Sequence, residues 1–318
     1  MRSSRLLGLT VAASLALAAG LATAASALAA DPVIAAAGDI ACAPTDPFFN
    51  NGAGGPSNCA QGRTANIIAA MSPAASAVLP LGDNQYNSGA LASYRASYGP
   101  SWGRFLPSTF PVPGNHEYGT AAAKGYFDYF IGAGRVVGSR GQGWYSYDVG
   151  SWHLIALNSE CDKIGVAVCQ TGGAEEAFVR ADLAAHRNTC TLAYWHEPAF
   201  SSGTAAVTNA QNMRPIWRDL YNGGADLILN AHKHFYERFS PLNANGQVDT
   251  TGRGMTEIIT GTGGDDHAGT PPRIAGSVKL NAHTFGVTQV TLSSGRWTQR
   301  FVGEPGSTFT DSSSGTCH

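Results

Sequence analysis

Two histidines separated by one residue, His232 and His234, are the first candidates for metal chemistry in this sequence. They follow residues 226–229, Asp-Leu-Ile-Leu, a short run typical of a buried strand. Residues two apart in extended backbone point to the same side, so we expect both imidazoles to face one site where the strand ends. A histidine pair is also common as hydrogen-bonded structure without a metal, so the interpretation depends on the rest of the chain.

Four other apolar runs lead into side chains that can bind a metal. The runs are residues 33–37, 77–81, 110–113 and 191–195, and the side chains that follow are Asp39, Asp83, Asn115 and His196. Each of these alone could be a helix cap, a turn residue or a buried core side chain. In open α/β sheets, however, sites form beyond the carboxyl ends of strands, where the loops converge. Together with Tyr86 and the two histidines, this set predicts a site for iron, zinc or manganese, which accept oxygen and imidazole ligands.

The elements that position these side chains alternate between strands and helices. Residues 33–37 and 77–81 predict two strands joined by a crossover helix at 64–71. Residues 143–149 and 152–157 alternate like a hairpin, and 174–187 is typical of an amphipathic helix. Further strands are predicted at 256–260, 285–292 and 296–301, and the Gly-rich residues 261–267 predict a turn. The pattern favours the α/β class.

The N-terminal residues predict export. Arg2 and Arg5 precede an apolar stretch at 6–25, and Ala27-Leu28-Ala29 forms a small-x-small cleavage site. An uncleaved membrane anchor is the alternative, but the alanine content makes this stretch weakly hydrophobic. We therefore expect residues 1–29 to be a signal peptide and residues 30–318 to form a single catalytic domain. The protein would be secreted, with no stable membrane anchor after processing.

Charge and cysteine content narrow the function classes. The formal net charge of −2 becomes −4 when the two signal-peptide arginines are lost, which argues against a nucleic-acid-binding surface. Six cysteines remain without a Cys-x-x-Cys pair, and an even number in an exported chain predicts disulfides. Among the fifteen pairings that six cysteines allow, proximity favours Cys42 with Cys59, Cys161 with Cys169, and Cys190 with Cys317.

Five sequence blocks taken in order resemble the signature of the calcineurin-like metallophosphoesterases. They are Gly38-Asp39, Gly82-Asp83-Asn84-Gln85-Tyr86, Gly114-Asn115-His116-Glu117, Trp195-His196 and Ala231-His232-Lys233-His234. Tyr86, three residues after Asp83, and the Phe-Tyr-Glu-Arg of residues 235–238 resemble the purple acid phosphatase branch in particular. The resemblance implies two packed mixed β-sheets flanked by helices, a four-layer αββα sandwich.

The resemblance also implies a role for each matched residue. Asp39, Tyr86 and His234 would bind one metal, typically Fe(III) in that branch. Asn115, His196 and His232 would bind a second, divalent ion of zinc, iron or manganese, and Asp83 would bridge the two. His116 would stay off the metals as the catalytic residue, donating to the phosphate or to the leaving oxygen.

Three positions depart from the usual pattern of the family. Ala41 stands where the generic family has a histidine, which fits the tyrosine-ligated branch. Ala231 replaces the glycine that usually begins the last block, so the backbone there must accept a Cβ. Residues 200–207 lack the further histidine common after the fourth block, which leaves His116 as the best leaving-group acid and Glu197 as an auxiliary candidate.

The implied function is hydrolysis of small phosphomonoesters by direct attack of a metal-bound hydroxide on phosphorus. A phosphodiesterase or nucleotidase with the same metals is the alternative among enzymes, because substrate choice depends on the shape of the pocket. A phosphate- or metal-binding protein without catalytic activity is the alternative from another class.

Overall fold

Two β-sheets of apolar strands pack face to face in the computed structural model. The model describes residues 30–187, 190–203 and 208–318. In the described residues the strands are β1 Val33–Ala37, β2 Ala77–Pro80, β3 Tyr145–Val149, β4 Trp152–Ala156, β5 Cys190–Tyr194, β6 Leu227–Asn230, β7 Tyr236–Phe239, β8 Thr256–Thr260, β9 Ser277–Asn281, β10 Gly286–Ser293, β11 Arg296–Gly303 and β12 Asp311–Thr316. One sheet has the order β12-β11-β10-β1-β2, and the other has the order β3-β4-β5-β6-β8-β7-β9. Both mix parallel with antiparallel pairs.

Helices cover the outer face of each sheet. They are α1 Gln61–Ala69, α2 Leu91–Ser93, α3 Lys124–Gly132, α4 Cys161–Ile164, α5 Ala174–Ala185, α6 Thr208–Asn212 and α7 Arg214–Asn222. Short 3-10 helices lie at Asn50–Gly52, Trp102–Ser108, Asn115–Gly119, Ala121–Ala123 and Val166–Val168, and a π-helical turn lies at Tyr94–Tyr98. The predicted arrangement of two mixed sheets flanked by helices is confirmed.

Successive residues of one strand belong to different apolar cores, which explains why the strands do not alternate with polar residues. In β1, Ile34 packs in the core between the sheets, whereas Ala35 packs in the outer core beneath α1. In β6, Leu229 faces the inter-sheet core and Ile228 faces the core under α5 and α7. A strand buried on both faces requires an apolar side chain at every position.

One predicted strand is absent, and three strands were not predicted. Within residues 110–113 only Val112 forms an isolated bridge, to Leu81 just after β2, because Pro111 and Pro113 have no N–H to donate. The unpredicted strands are β7, β9 and β12. β12, Asp-Ser-Ser-Ser-Gly-Thr, has almost no apolar residues and is held as an edge strand by its antiparallel pairing with β11.

Three disulfides connect the elements, and they join the pairs favoured by proximity. Cys42 bonds to Cys59, Cys161 to Cys169, and Cys190 to Cys317. The last bridge ties the first residue of β5 to the residue after β12.

Residues 31–318 form one compact unit. The predicted signal peptide lies outside the described residues and stays a prediction; in the part of the chain that is described, no helix has the length and apolarity needed to cross a membrane.

His153 on β4 is held between two carboxylates away from the ends of the central strands. Its Nδ1 lies 2.7 Å from Asp148 Oδ1, and its Nε2 lies 2.7 Å from Asp182 Oδ2 on α5. Burial lowers the pKa of His153, but the hydrogen bonds to the two carboxylates outweigh burial and raise the pKa above its ordinary value. Both ring nitrogens are engaged, so this cluster is an ion-paired tie between β4 and α5.

This arrangement predicts a pH-dependent loss of stability. Because the folded-state pKa of His153 is raised, its ion pairs stabilise fully below about pH 6.5 and the contribution is lost as pH rises through the raised pKa. His153→Phe should therefore lower the free energy of unfolding by about 1.5–3 kcal/mol at pH 6, and by less at pH 9. Chemical denaturation of both proteins between pH 6 and pH 9 measures the difference in the free energy of unfolding. A difference that does not become smaller as the pH rises would contradict the prediction.

Candidate metal centre

The polar residues predicted at the strand ends converge at one edge of the two sheets. Asp39 follows β1 and Asp83 follows β2 in one sheet, whereas His196 follows β5 and His232 follows β6 in the other. Backbone hydrogen bonds lock these ends together, since Gly38 N donates to Thr260 O across the sheets at 2.9 Å. The edge is therefore assembled from both sheets.

Three of the predicted ligands form what we call the tyrosine-side cluster: Asp39, Tyr86 and His234. Tyr86 Oη lies 2.8 Å from Asp39 Oδ1 and 2.9 Å from His234 Nε2. His234 Nε2 lies 3.2 Å from Asp39 Oδ1. The three donor atoms thus face one another at the corners of a small triangle.

Three others form the asparagine-side cluster: Asn115, His196 and His232. Asn115 Oδ1 lies 3.2 Å from His196 Nε2 and 3.1 Å from His232 Nδ1. The two imidazole nitrogens are 3.2 Å apart. This cluster repeats the triangular arrangement of the first with one amide and two imidazoles.

The carboxylate of Asp83 joins the two clusters. Its Oδ2 lies 3.2 Å from Tyr86 Oη and 3.1 Å from His196 Nε2, so one oxygen is shared by both sides. Its Oδ1 accepts the backbone N–H of His116 at 2.8 Å, which fixes the orientation of the carboxylate. The structure thus brings all seven predicted ligand side chains together, as two clusters joined by the Asp83 carboxylate.

Two imidazoles are oriented by acceptors on their far sides. His196 Nδ1 lies 2.9 Å from Leu81 O, and His234 Nδ1 contacts the carboxylate of Asp266. Because a carbonyl or carboxylate oxygen only accepts, both Nδ1 atoms carry the proton. In the neutral form each Nε2 then presents its lone pair to its cluster, which is the tautomer that a metal ligand needs.

The charges of the site depend strongly on its burial. Burial alone would raise the pKa of Asp39 and of Asp83, but their imidazole neighbours outweigh it and hold both pKa values below the usual range. Burial and the charge of His196 lower the pKa of His232 to about 3, so this imidazole is neutral. Burial and the nearby Asp39 and Asp83 raise the pKa of Tyr86, which stays a phenol unless a cation compensates it.

The two histidines of the final block converge by a different route from the one predicted. The interpretation as extended backbone was wrong, because His232 and His234 have φ angles of 69° and 41° in a bend after β6. Asp39 and Asp83 also have positive φ angles, 58° and 45°. Left-handed backbone costs about 1–2 kcal/mol per non-glycine residue. Hydrogen bonds such as that from His232 N to Asp39 Oδ2, 2.7 Å long, hold the conformation in place.

Close approach of the two sheets explains two small residues. A Cβ on Gly38 would lie 2.4 Å from the Cβ of Ala231, so the methyl group of Ala231 occupies the space that Gly38 leaves open. A Cβ on Gly114 would lie 2.4 Å from Asp83 N and Asp83 Oδ1. Ala231, which departs from the family pattern, is therefore accommodated by a glycine on the opposite strand end.

Glu117 is a buried carboxylate that holds the ligand-bearing loops in register. Its Oε1 accepts the backbone N–H of Asn84 at 3.1 Å, and its Oε2 accepts the N–H of Gly114 at 2.7 Å. Tyr94 Oη donates to Oε1 at 2.9 Å. Burial, reinforced by the charge of Asp83, raises the pKa of Glu117 to about 8. This residue belongs to a matched block, but sequence reasoning gave it no role.

His116 lies at the rim and outside both clusters. Its Nδ1 is 2.7 Å from Asn87 O, its ring stacks obliquely on Tyr86, and its Nε2 is 3.9 Å from Asp83 Oδ2. About a third of its side chain is exposed, at 32%. Nε2 belongs to neither cluster, and its contact with a bound ligand stays a prediction.

The donor set fits two cations. Ligand atoms about 2.1 Å from one cation lie roughly 3 Å from each other, and the atoms of each cluster are separated by 2.8–3.2 Å. Oxygen and imidazole donors without a thiolate match iron, zinc or manganese. Both clusters also have the outer hydrogen-bonded acceptors that orient metal-binding histidines.

Asp266 is the contributor that sequence reasoning missed. It lies in the segment 261–267, which was predicted as a turn, and it supports His234 from 32 residues away. No local pattern links the two residues, because their contact depends on how β8 places the loop after it. Glu197 does not reach the clusters through a hydrogen bond; its Oε1 accepts from Asn209.

Comparisons with known proteins point to one family. No family model matches the chain. Purple acid phosphatase 15 of Arabidopsis thaliana is 31% identical over 179 residues, which cover 52% of this chain and 32% of the relative. Purple acid phosphatase 23 of the same plant is 29% identical over 191 residues, covering 55% and 40%. The chain therefore spans about a third to two fifths of the length of these relatives.

The fold matches a solved structure of the same kind. Purple acid phosphatase PPD1 from yellow lupin (Lupinus luteus) superposes with a TM-score of 0.70 at 18% identity, covering 90% of this chain and 53% of that one. The likeness at this identity concerns the fold. With the sequence matches, it confirms the resemblance predicted from the five blocks.

The contact between Asp266 and His234 predicts selective metal loss. Asp266→Asn removes the carboxylate that orients His234 and should weaken metal binding at the tyrosine-side cluster about 10–100-fold. Asp128→Asn is the control, since this carboxylate pairs with Lys124 and Arg140 and contacts no residue of either cluster. Competition with a metal chelator measures both affinities, and equal losses in the two variants would contradict the role of Asp266.

Proposed function

We propose that this chain, which resembles the purple acid phosphatases in sequence and fold, is a binuclear metal-dependent phosphatase that hydrolyses small phosphomonoesters. The observation that carries the proposal is the shared Asp83 Oδ2, which lies within 3.2 Å of a donor atom of each cluster. Asp83 would therefore help to hold both cations, which together would supply the chemistry for one phosphoryl group.

Seven residues would hold the metals. Asp39, Tyr86 and His234 would bind Fe(III), and Asn115, His196 and His232 would bind a divalent zinc, iron or manganese ion, with Asp83 between them. When bound, the two cations would activate water for direct attack on phosphorus and offset the charge of the transition state.

The side chains of the protein prepare the site for that chemistry. Asp39 and Asp83 are almost fully buried and supply fixed negative charge. His196 and His234 are held in one orientation by Leu81 O and Asp266, so their Nε2 atoms remain aimed at the clusters. Positions fixed in this way need no rearrangement during the reaction.

His116 would donate the proton or hydrogen bond to the phosphate or leaving oxygen. Its Nδ1 faces the carbonyl of Asn87 and therefore carries a proton. Nε2 can then donate only when the ring is the imidazolium. Glu197 is buried and bonded to Asn209, so His116 is the better candidate acid.

The protein would act outside the cytosol. Three disulfides fit an oxidising compartment, and the predicted signal peptide would deliver the chain there. We propose that it is secreted and that its substrate is a small phosphate ester.

Substrate preference tests the monoesterase assignment. The metal-loaded protein should hydrolyse p-nitrophenyl phosphate with a kcat/KM at least tenfold above that for bis(p-nitrophenyl) phosphate. Steady-state kinetics measures both. A preference for the diester would assign the protein to the phosphodiesterases, and no turnover of either ester would favour a binding protein.

Two adjacent residues should separate metal binding from catalysis. Asn115→Ala removes an oxygen of the asparagine-side cluster and should deplete the metal on that side. His116→Ala should keep both metals while lowering kcat about 10²–10⁴-fold, the usual contribution of a general acid. Elemental analysis with turnover assays distinguishes the two, and equal metal loss in both variants would contradict the role of His116.

The tyrosine ligand has a spectroscopic signature. Protein purified with its native metals should show a visible absorption band from tyrosinate bound to ferric iron, and Tyr86→Phe should abolish it. Tyr118→Phe is the control, because the Tyr118 hydroxyl instead accepts a hydrogen bond from Asn158. A band that survives in the Tyr86 variant would overturn this ligand assignment.

A further inference from the structure

Lys233, between the two histidines of the final block, is a buried lysine that makes no direct ion pair among the described residues. The residue is only 7% exposed. Among the described residues its side chain forms no hydrogen bond, and no carboxylate lies within 4.0 Å of its ammonium group. Buried charges in proteins are normally paired, because removing a charge from water is costly. The absence of a direct ion pair is therefore the feature to explain.

Lys233 lies in the wall of a cleft that opens beside the metal centre. This cleft, which we call the lysine cleft, has a volume of ≈ 610 Å³ and is lined by Gly203, residues 232–235 and residues 268–272. His232 and His234 form part of the same wall, one from each cluster. A molecule bound at the clusters therefore has direct access to the cleft.

The surroundings of Lys233 give its stem room, and the charges of Glu197 and Asp39 act on its ammonium group only from beyond ion-pair distance. A Cβ on Gly203 would lie 2.9 Å from Lys233 Cδ, so the glycine leaves room for the lysine stem. Phe235, Ala268 and the two prolines 271 and 272 make much of the lining apolar. In an apolar cleft a single charge selects strongly for its opposite, because water competes less for it.

We propose that the lysine cleft binds a second anionic group of the substrate, on the alcohol part of the phosphate ester, through the ammonium group of Lys233. The proposal rests on the phosphatase function proposed above and specifies its substrate class. The phosphoryl group would occupy the metal centre while the alcohol part extends between Lys233 and residues 268–272. A carboxylate or a second phosphate has the required chemistry.

A matched pair of esters tests this selectivity. 4-Carboxyphenyl phosphate carries the second anion, and 4-carbamoylphenyl phosphate is its neutral isostere. The metal-loaded wild-type protein should prefer the carboxylate in kcat/KM, and Lys233→Met should reduce the ratio of the two values about 10–100-fold, as expected for a charge-assisted hydrogen bond. Lys233→Arg, which retains the charge, should keep most of the preference.

Control variants separate selectivity from damage to the site. Lys279→Met removes an exposed lysine of β9 and should leave the ratio unchanged. Elemental analysis of the Lys233 variants checks that the neighbouring histidines still bind metal. If Lys233→Met loses metal, Lys233→Gln provides the same test with a polar neutral side chain. An unchanged ratio in a metal-loaded neutral variant, or no preference in the wild type, overturns the proposal.

Binding without turnover distinguishes failure of the cleft from failure of the phosphatase function. Calorimetry with 4-carboxyphenylphosphonate and its carboxamide analogue measures the same preference on molecules that cannot be hydrolysed. If the wild type binds the carboxylate more tightly and Lys233→Met abolishes this preference, the anion site in the lysine cleft is supported. This holds even if neither ester is turned over, because absence of turnover would contradict only the phosphatase function. Equal binding of both phosphonates by the wild type contradicts the anion site itself.

Discussion

The close approach of two strand ends from different sheets is the constraint on which the centre depends. β1 and β6 belong to separate sheets, yet Gly38 and Ala231 lie so near each other that only one of them can carry a Cβ. This contact brings Asp39 within hydrogen-bond distance of the His232 backbone. If the sheets were farther apart, the carboxylates of one sheet and the imidazoles of the other would be separated, and neither cluster could form.

Burial then makes every charge in the centre depend on its neighbours. Asp39 and Asp83 are buried, and burial alone would favour the protonated carboxyl group. The imidazoles opposite keep both carboxylates ionised. Glu117 contributes differently, since it accepts N–H groups from two loops and so sets the distance between Asp83 and Asn115. Four ligand residues have positive φ angles, and the hydrogen bond from His232 N to Asp39 Oδ2 helps to hold one of these conformations. The positions of the ligand side chains and their ionisation states therefore depend on the same neighbouring groups.

The sequence predicted the parts that obey local rules. Apolar runs such as 33–37 and 227–229 indicated strands buried on both sides, and the polar residue after each run indicated the edge where a site forms. β12 could not be found in this way, because its residues are polar and its pairing with β11 supplies the order. Asp266 was missed for a related reason: its partner His234 is distant in sequence. The bend at His232 depends on tertiary hydrogen bonds that no local pattern reports.

The disulfide between Cys190 and Cys317 has a topological consequence for the centre. It closes a covalent ring of the chain from β5 to the end of β12, and this ring contains His196, His232 and His234. A protease that cuts once anywhere inside the ring opens a loop but releases no fragment. Inside the ring, two cuts are needed before any of these three histidines can be released. Three of the seven donors thereby stay covalently attached after a single cut inside the ring.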